Sequence, residues 1–159
     1  MADTDAAQGT ESRTASAERE IAAPAARIFE LIADPAQQPR WDGNDNLRHA
    51  APGQRVRAAD AVFRMTLSTG DVRENRVVEF DEGRRIAWLP SEVDQQPPGH
   101  LWRWELEPID ADHTLVRHSY DWSRLTDENR LPRARATTSE KLLGSIDRLA
   151  ALATTADPD

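Results

Sequence analysis

TTSEKLLGSIDRLAALA, residues 137–153, is the stretch on which the fold turns. Thr137, Thr138, Ser139 and Glu140 have the spacing of a capping box, in which a threonine hydroxyl takes the third helical amide and a glutamate reaches back to the cap. Behind them Leu142, Leu143, Ile146, Leu149, Ala150 and Ala153 recur on one helical face, and Lys141, Asp147 and Arg148 take the other side. About sixteen residues make roughly 24 Å of helix, enough to lie across a sheet. Each large aliphatic side chain buried along that stripe contributes about 1.5–3 kcal/mol. A partner surface is therefore required, and the residues upstream supply it.

From Leu47 to Trp122 the pattern is strands and tight turns. Val62–Leu67 and Val72–Phe80 flank Thr69-Gly70-Asp71, which reads as a hairpin. Asp81-Glu82-Gly83 turns into Arg85–Leu89, Pro97-Pro98-Gly99 breaks the chain before Leu101–Leu106, and Asp110-Ala111-Asp112 precedes Thr114–Trp122. Val56 is a candidate opening for one further strand. Hairpins in series build an antiparallel sheet. Before them, Ala15, Ala17, Arg19 and Ile21 alternate as in an edge strand, Pro24 opens a short helix through Ile28, Phe29, Leu31 and Ile32, and Asp34-Pro35 ends it and begins a second short turn through Gln37. The expected class is α+β: a curved antiparallel sheet wrapped around a long C-terminal helix, with two short helices after the first strand.

The order of these elements, with Ile21-Ala22-Ala23-Pro24, Ile28 to Pro35 and Pro39-Arg40-Trp41-Asp42, resembles the START-like or SRPBCC superfamily, in particular its bacterial polyketide cyclase/dehydrase-like members. Asn75–Asp81, Trp102–Pro108, Asp112–Val116 and Ser145–Ala150 carry the likeness onward, so that it spans about residues 15 to 153. It implies the helix-grip fold and a cavity between sheet and final helix. It leaves the reaction open, because members bind lipids, hormones, polyketides or quinones, some cyclise or dehydrate, and some activate chaperones. No catalytic motif of the family is matched here residue by residue.

Strand parity proposes which side chains face that cavity. Trp102, Trp104 and Leu106 share one face of their strand; Val116, His118, Tyr120 and Trp122 share one face of the next; Ile86 and Trp88 pair in theirs. Together with Leu143 and Ile146 of the helix, the aromatic set Trp88, Trp102, Trp104, His118, Tyr120 and Trp122 reads as the wall of a ligand site, with plain core filling as the alternative. His118 and Tyr120 lie two apart on one strand, so both can meet one ligand, and they are the candidates for acid/base work and oxygen positioning. Trp41 after Pro39 either caps the cavity or staples the short helices to the sheet, and stapling is the preferred reading. The functional expectation is binding of an apolar or aromatic small molecule, lipid-like or polyketide-like. The alternatives are a cyclase/dehydratase using His118 and Tyr120, and an interaction module of the chaperone-activator kind.

Other classes are less compatible with the composition. A net charge of −8 repels phosphate backbones, so nucleic acid is not an expected partner. Cysteine is absent, which removes disulfides and thiolate chemistry and leans towards a cytoplasmic setting. Neither a signal pattern nor an apolar run of about 18 residues is present, so no stable membrane insertion is expected. Asp42, Asn44 and Asp45 hold only part of a calcium-loop pattern, and His113 and His118 fall on opposite strand faces; no metal and no cofactor are implied. Lys141 is the sole lysine, and the preference for arginine reads as a compositional habit. Arg130, Arg133 and Arg135 could gate a carboxylate or phosphate at the cavity mouth, but a solvated loop balancing Asp127-Glu128 is the expected reading. Residues 1–14 and 154–159, nearly free of large apolar side chains, are expected to be tails around a domain at 15–153.

Overall fold

The computed structural model describes residues 12–155. Strand β1 (Thr14–Ile21) is followed by helix α1 (Ala25–Ala33) and a 3-10 turn (Pro35–Arg40). Then come β2 (Leu47–His49), β3 (Val62–Leu67), β4 (Val72–Asp81), β5 (Arg85–Glu92), β6 (Leu101–Asp110) and β7 (His113–Asp121). A second 3-10 turn (Glu128–Arg130), a short helix α2 (Leu131–Arg135) and the long helix α3 (Ser139–Thr154) complete the chain. The strands form one antiparallel sheet in the order β1-β7-β6-β5-β4-β3-β2, the helix-grip arrangement. β1 is an edge strand, as its alternation implied. β1 and α3 each reach one residue beyond the bounds read from sequence, to Thr14 and Thr154, and the tail segments 1–11 and 156–159 lie outside the described residues.

The sheet bends around α3 because its ladders are interrupted. In β4 Val77 faces Trp88 while Glu79 faces Ala87, so Val78 is an extra residue with no opposite number. Such a bulge strengthens the local twist and reverses the parity of the later strand residues. Asn75 and Val77 are buried, but beyond the bulge Phe80 is the residue that turns inward, edge-on to Phe29 at 5.8 Å. On the convex side Arg103 forks onto Glu79 at 2.9 and 2.6 Å, Arg85 meets Glu105 at 3.0 Å and Arg117 meets Glu18 at 2.7 Å. Half-exposed pairs of this kind contribute about 0–1 kcal/mol each; they keep that face wet rather than hold the fold together.

On α3, Leu142, Ile146 and Leu149 are fully buried, and with Ala150 and Ala153 they define the face that packs on the sheet and α1. Leu143 does not belong to it: the residue is 38% exposed, rotated about 100° from Leu142 towards solvent. The cap also differs from the sequence reading. Thr138 is the N-cap, its hydroxyl accepting from the Lys141 amide at 3.3 Å, while the Thr137 hydroxyl donates to the Arg133 carbonyl at 3.0 Å. The preceding helix α2 claims Thr137 and moves the cap along by one residue, which leaves Glu140 in the first turn, where it favours the helix dipole. Val56 opens no strand; it is buried in a loop, its amide donating to the Ala33 carbonyl at 2.9 Å at the end of α1. Arg130 and Arg133, expected in a solvated loop, lie on the turn and helix before α3, started by the Asp127 carboxylate accepting from the Asn129 amide.

Candidate functional site

The register of β6 against β7 builds the centre of the site. Trp102 lies opposite Tyr120, Trp104 opposite His118 and Leu106 opposite Val116, all from the inward parity. Side chains directly across an antiparallel pair touch: the His118 ring stacks on Trp104 at 3.7 Å and 12°, and Trp102 lies 4.4 Å from the Tyr120 ring. Next to them, Trp88 of β5 meets Phe63 of β3 edge-on at 5.4 Å.

Trp88, Trp102, Trp104, His118 and Tyr120 all face a cavity of about 390 Å³. Trp41 closes it from the short-helix side and also staples, its indole N–H donating to the Leu31 carbonyl at 2.8 Å and its ring standing edge-on to Trp104 at 5.1 Å. The other expected wall residues lie elsewhere. Val116 and Ile146 are fully buried in the core beside α1, Trp122 packs with Leu125, Ala134 and Leu142, and Leu143 faces outwards. Parity identifies the inward face of a strand; it does not say where along that face the hollow begins.

The lining is less apolar than the sequence reading expected. Asn75 and Gln38 reach it from β4 and the first turn, and Arg73, Arg130, Arg133 and Lys141 stand around it with a single carboxylate, Asp42. His100, just before β6, lines it too, with its ring 6.0 Å from that of Tyr120. The sequence signalled His100 only by the Pro97-Pro98-Gly99 break that delivers it there. Two buried nitrogens have no hydrogen-bond partner among the described residues, His100 Nδ1 and Trp104 Nε1, and both belong to residues of this wall.

Burial governs the titration of these groups. His118 is pushed down to about 3 by desolvation, with only the hydrogen bond to the Arg103 carbonyl opposing it. Because that carbonyl, at 3.0 Å from Nδ1, can only accept, the neutral ring carries its proton on Nδ1 and leaves Nε2 as an acceptor. Burial thus favours the neutral imidazole near pH 7, which works against the acid/base work expected of His118. Burial, with Arg130 and Arg73 nearby, holds His100 down at about 4. Tyr120 is pushed up to about 12, mainly by burial, against the pull of Arg133, Arg130 and the Thr137 hydroxyl. Near pH 7 the wall thus offers neutral rings and a protonated phenol. Asp42 and Asp45 serve the loop: Asp42 accepts from Asn44 and the Asn46 amide, and Arg148 of α3 donates to the Asp42 carbonyl at 2.7 Å and to Asp45 at 2.8 Å. Among the described residues no three His, Asp or Glu converge as a metal site would require.

Residues 12–154 match the family described as polyketide cyclase/dehydrase and lipid transport. The chain belongs to that family. Among sequence relatives of this polyketide cyclase/dehydrase family member, an uncharacterized protein of Mycobacterium tuberculosis is 31% identical over 121 residues, covering 74% of this chain and 50% of the relative. The chain thus spans about half the length of the curated relatives it matches. Among solved structures, the Zhui aromatase/cyclase from a Streptomyces species superposes with a TM-score of 0.63 at 16% identity, covering 88% of this chain and 92% of that one. A START superfamily protein from Mycobacterium smegmatis superposes at 0.59 and 20% identity, covering 87% and 98%. These likenesses establish the fold of the family member and leave its ligand open. No helix among the described residues is long and apolar enough to cross a membrane.

Proposed function

We propose that the protein binds a flat apolar or aromatic small molecule, of lipid-like or polyketide-like class, between the sheet and the helices that close over it. The observation that carries this reading is the hollow itself: about 390 Å³ walled by the rings of Trp88, Trp102, Trp104, His118 and Tyr120. Packed interiors hold few voids larger than a water molecule, because lining atoms without neighbours forfeit dispersion energy. The volume falls within the range of about 300–1,000 Å³ that small-molecule sites occupy. The unpartnered nitrogens of Trp104 and His100 support the same reading, since a ligand oxygen would satisfy either one.

Native mass spectrometry of the purified protein, with extraction of whatever small molecule it retains, tests the proposal directly. Titration with naphthalene- and anthracene-ring compounds should then change tryptophan fluorescence saturably, and Trp102→Ala should weaken that binding about tenfold by removing one stacking surface. No saturable response, or an unchanged affinity in Trp102→Ala, overturns the reading. The cyclase/dehydratase alternative is favoured by one observation, a phenol kept protonated beside two neutral imidazoles, which can hold an enolate or carbonyl oxygen. In that case Tyr120→Phe abolishes turnover of a poly-carbonyl substrate, whereas simple binding requires only a shift in affinity. The interaction-module reading calls for a collapsed interior, and the cavity argues against it.

A further inference from the structure

The cations around the cavity come from four separate elements: Arg73 from β4, Arg130 from the turn before α2, Arg133 from α2 and Lys141 from the first turn of α3. One carboxylate, Asp42, shares that lining. In a chain where 28 acidic residues outnumber 20 basic ones, the cavity reverses the sign of the whole molecule.

These cations also differ from the arginines on the convex face. There Arg85, Arg103 and Arg117 each sit against a glutamate. At the cavity only Arg130 is so engaged, with Glu92 at 2.8 Å and Asp127 at 3.2 Å. The Arg73 guanidinium makes a single long hydrogen bond, 3.5 Å to the Val72 carbonyl. Among the described residues the side chains of Arg133 and Lys141 make no ion pair or hydrogen bond. Asp42 does not compensate them: its carboxylate is occupied by Asn44 and the Asn46 amide, and burial pushes its pKa up towards the neutral form. The guanidinium fields converge on one end, those of Arg130 and Arg73 at His100 and those of Arg133 and Arg130 at Tyr120.

Building on the cavity-binding reading, we propose that the ligand is an anion, a flat ring system whose carboxylate or phosphate is met by Arg73 and Arg133 at the His100–Tyr120 end of the cavity, with Lys141 at its mouth. Guanidinium forks match the planar oxygens of such groups. Arg73 is half-buried, where displaced water strengthens the pairing, and Arg133 approaches from the exposed rim. The aromatic wall takes the ring system, and the basic end fixes which way round it lies.

Calorimetric titration with 2-naphthoate, its neutral isostere 2-naphthamide and 2-naphthyl phosphate tests this, on the wild type and on an Arg73→Gln/Arg133→Gln double variant at low ionic strength. The acid should bind at least about tenfold tighter than the amide, the scale of a charge-assisted hydrogen bond. That preference should vanish in the double variant, which should lose more affinity for the acid than for the amide. Naphthyl phosphate outranking naphthoate assigns a phosphate ester, and the reverse order assigns a carboxylic acid. Equal affinities of acid and amide in the wild type, or a preference that survives in the double variant, overturn the anion site and leave the cavity reading standing. Binding of none of the three probes overturns both.

Discussion

Lowering the pH from about 7.5 to about 4.5 is expected to destabilise this protein through His118, and the size of the effect comes from where the ring sits. Its pKa is about 3 in the folded chain, against about 6.5 when unfolded. A depressed folded value means that the unfolded chain takes up a proton which the native state refuses. The stability contribution is therefore complete above about 6.5 and is lost as the pH falls, down to about 3. One proton of difference is worth about 1.4 kcal/mol per pH unit, so the two units from about 6.5 to about 4.5 remove about 2–3 kcal/mol. That is a large share of a typical domain's stability of about 5–15 kcal/mol. His100, held at about 4, acts in the same direction. His113, raised by Asp110, and Asp42, raised by burial, act in the opposite one. All three remain when only His118 is changed, so the comparison that isolates it is wild type against His118→Gln. Urea unfolding monitored by tryptophan fluorescence across this pH window should show a variant that is weaker at neutral pH, having lost the stack on Trp104. Its stability should fall by about 2–3 kcal/mol less on acidification. Parallel pH profiles for the two proteins would refute the argument, since His118 would then titrate alike in both states.

Four further substitutions separate tightly packed from open positions on α3 and in the loop that packs against it. Ile146→Ala should cost about 2–5 kcal/mol in chemical denaturation because the side chain is fully buried. Leu143→Ala should cost under about 1 kcal/mol, although both leucine and isoleucine fall on the apolar stripe read from sequence. A methyl group added at Gly43 would lie 2.8 Å from the Lys141 carbonyl oxygen and 2.9 Å from the Ser145 amide, so Gly43→Ala should destabilise by about 1–3 kcal/mol in the same assay. At Gly144 a methyl group meets nothing within 4 Å, and Gly144→Ala should stabilise by about 0.5–1 kcal/mol through helix propensity alone.

Much of this architecture was legible in the sequence because it is written in local periodicity. The spacing of Leu142, Ile146 and Leu149 specifies a helix face wherever that helix packs, and the alternation in β6 and β7 puts Trp102, Trp104, His118 and Tyr120 on one side of a sheet before any partner is known. The errors arose where a neighbour far along the chain, or an element not anticipated, intervened. Helix α2 took Thr137 away from the cap, and the curl of the sheet decided that Trp122 and Val116 fill core while Trp88 faces the hollow.

By itself the sequence determined the fold class and the inward faces of β5, β6 and β7, because backbone geometry repeats every two or 3.6 residues where no bulge interrupts it. Only the tertiary structure decided where the cavity opens and what stands around it. It buried His118 against the Arg103 carbonyl, brought His100 to Tyr120, and set Arg73 of β4 around one cavity with Arg130, Arg133 and Lys141 from the far end of the chain. Enclosure, desolvation and charge convergence are properties of long-range packing, and no local pattern encodes them.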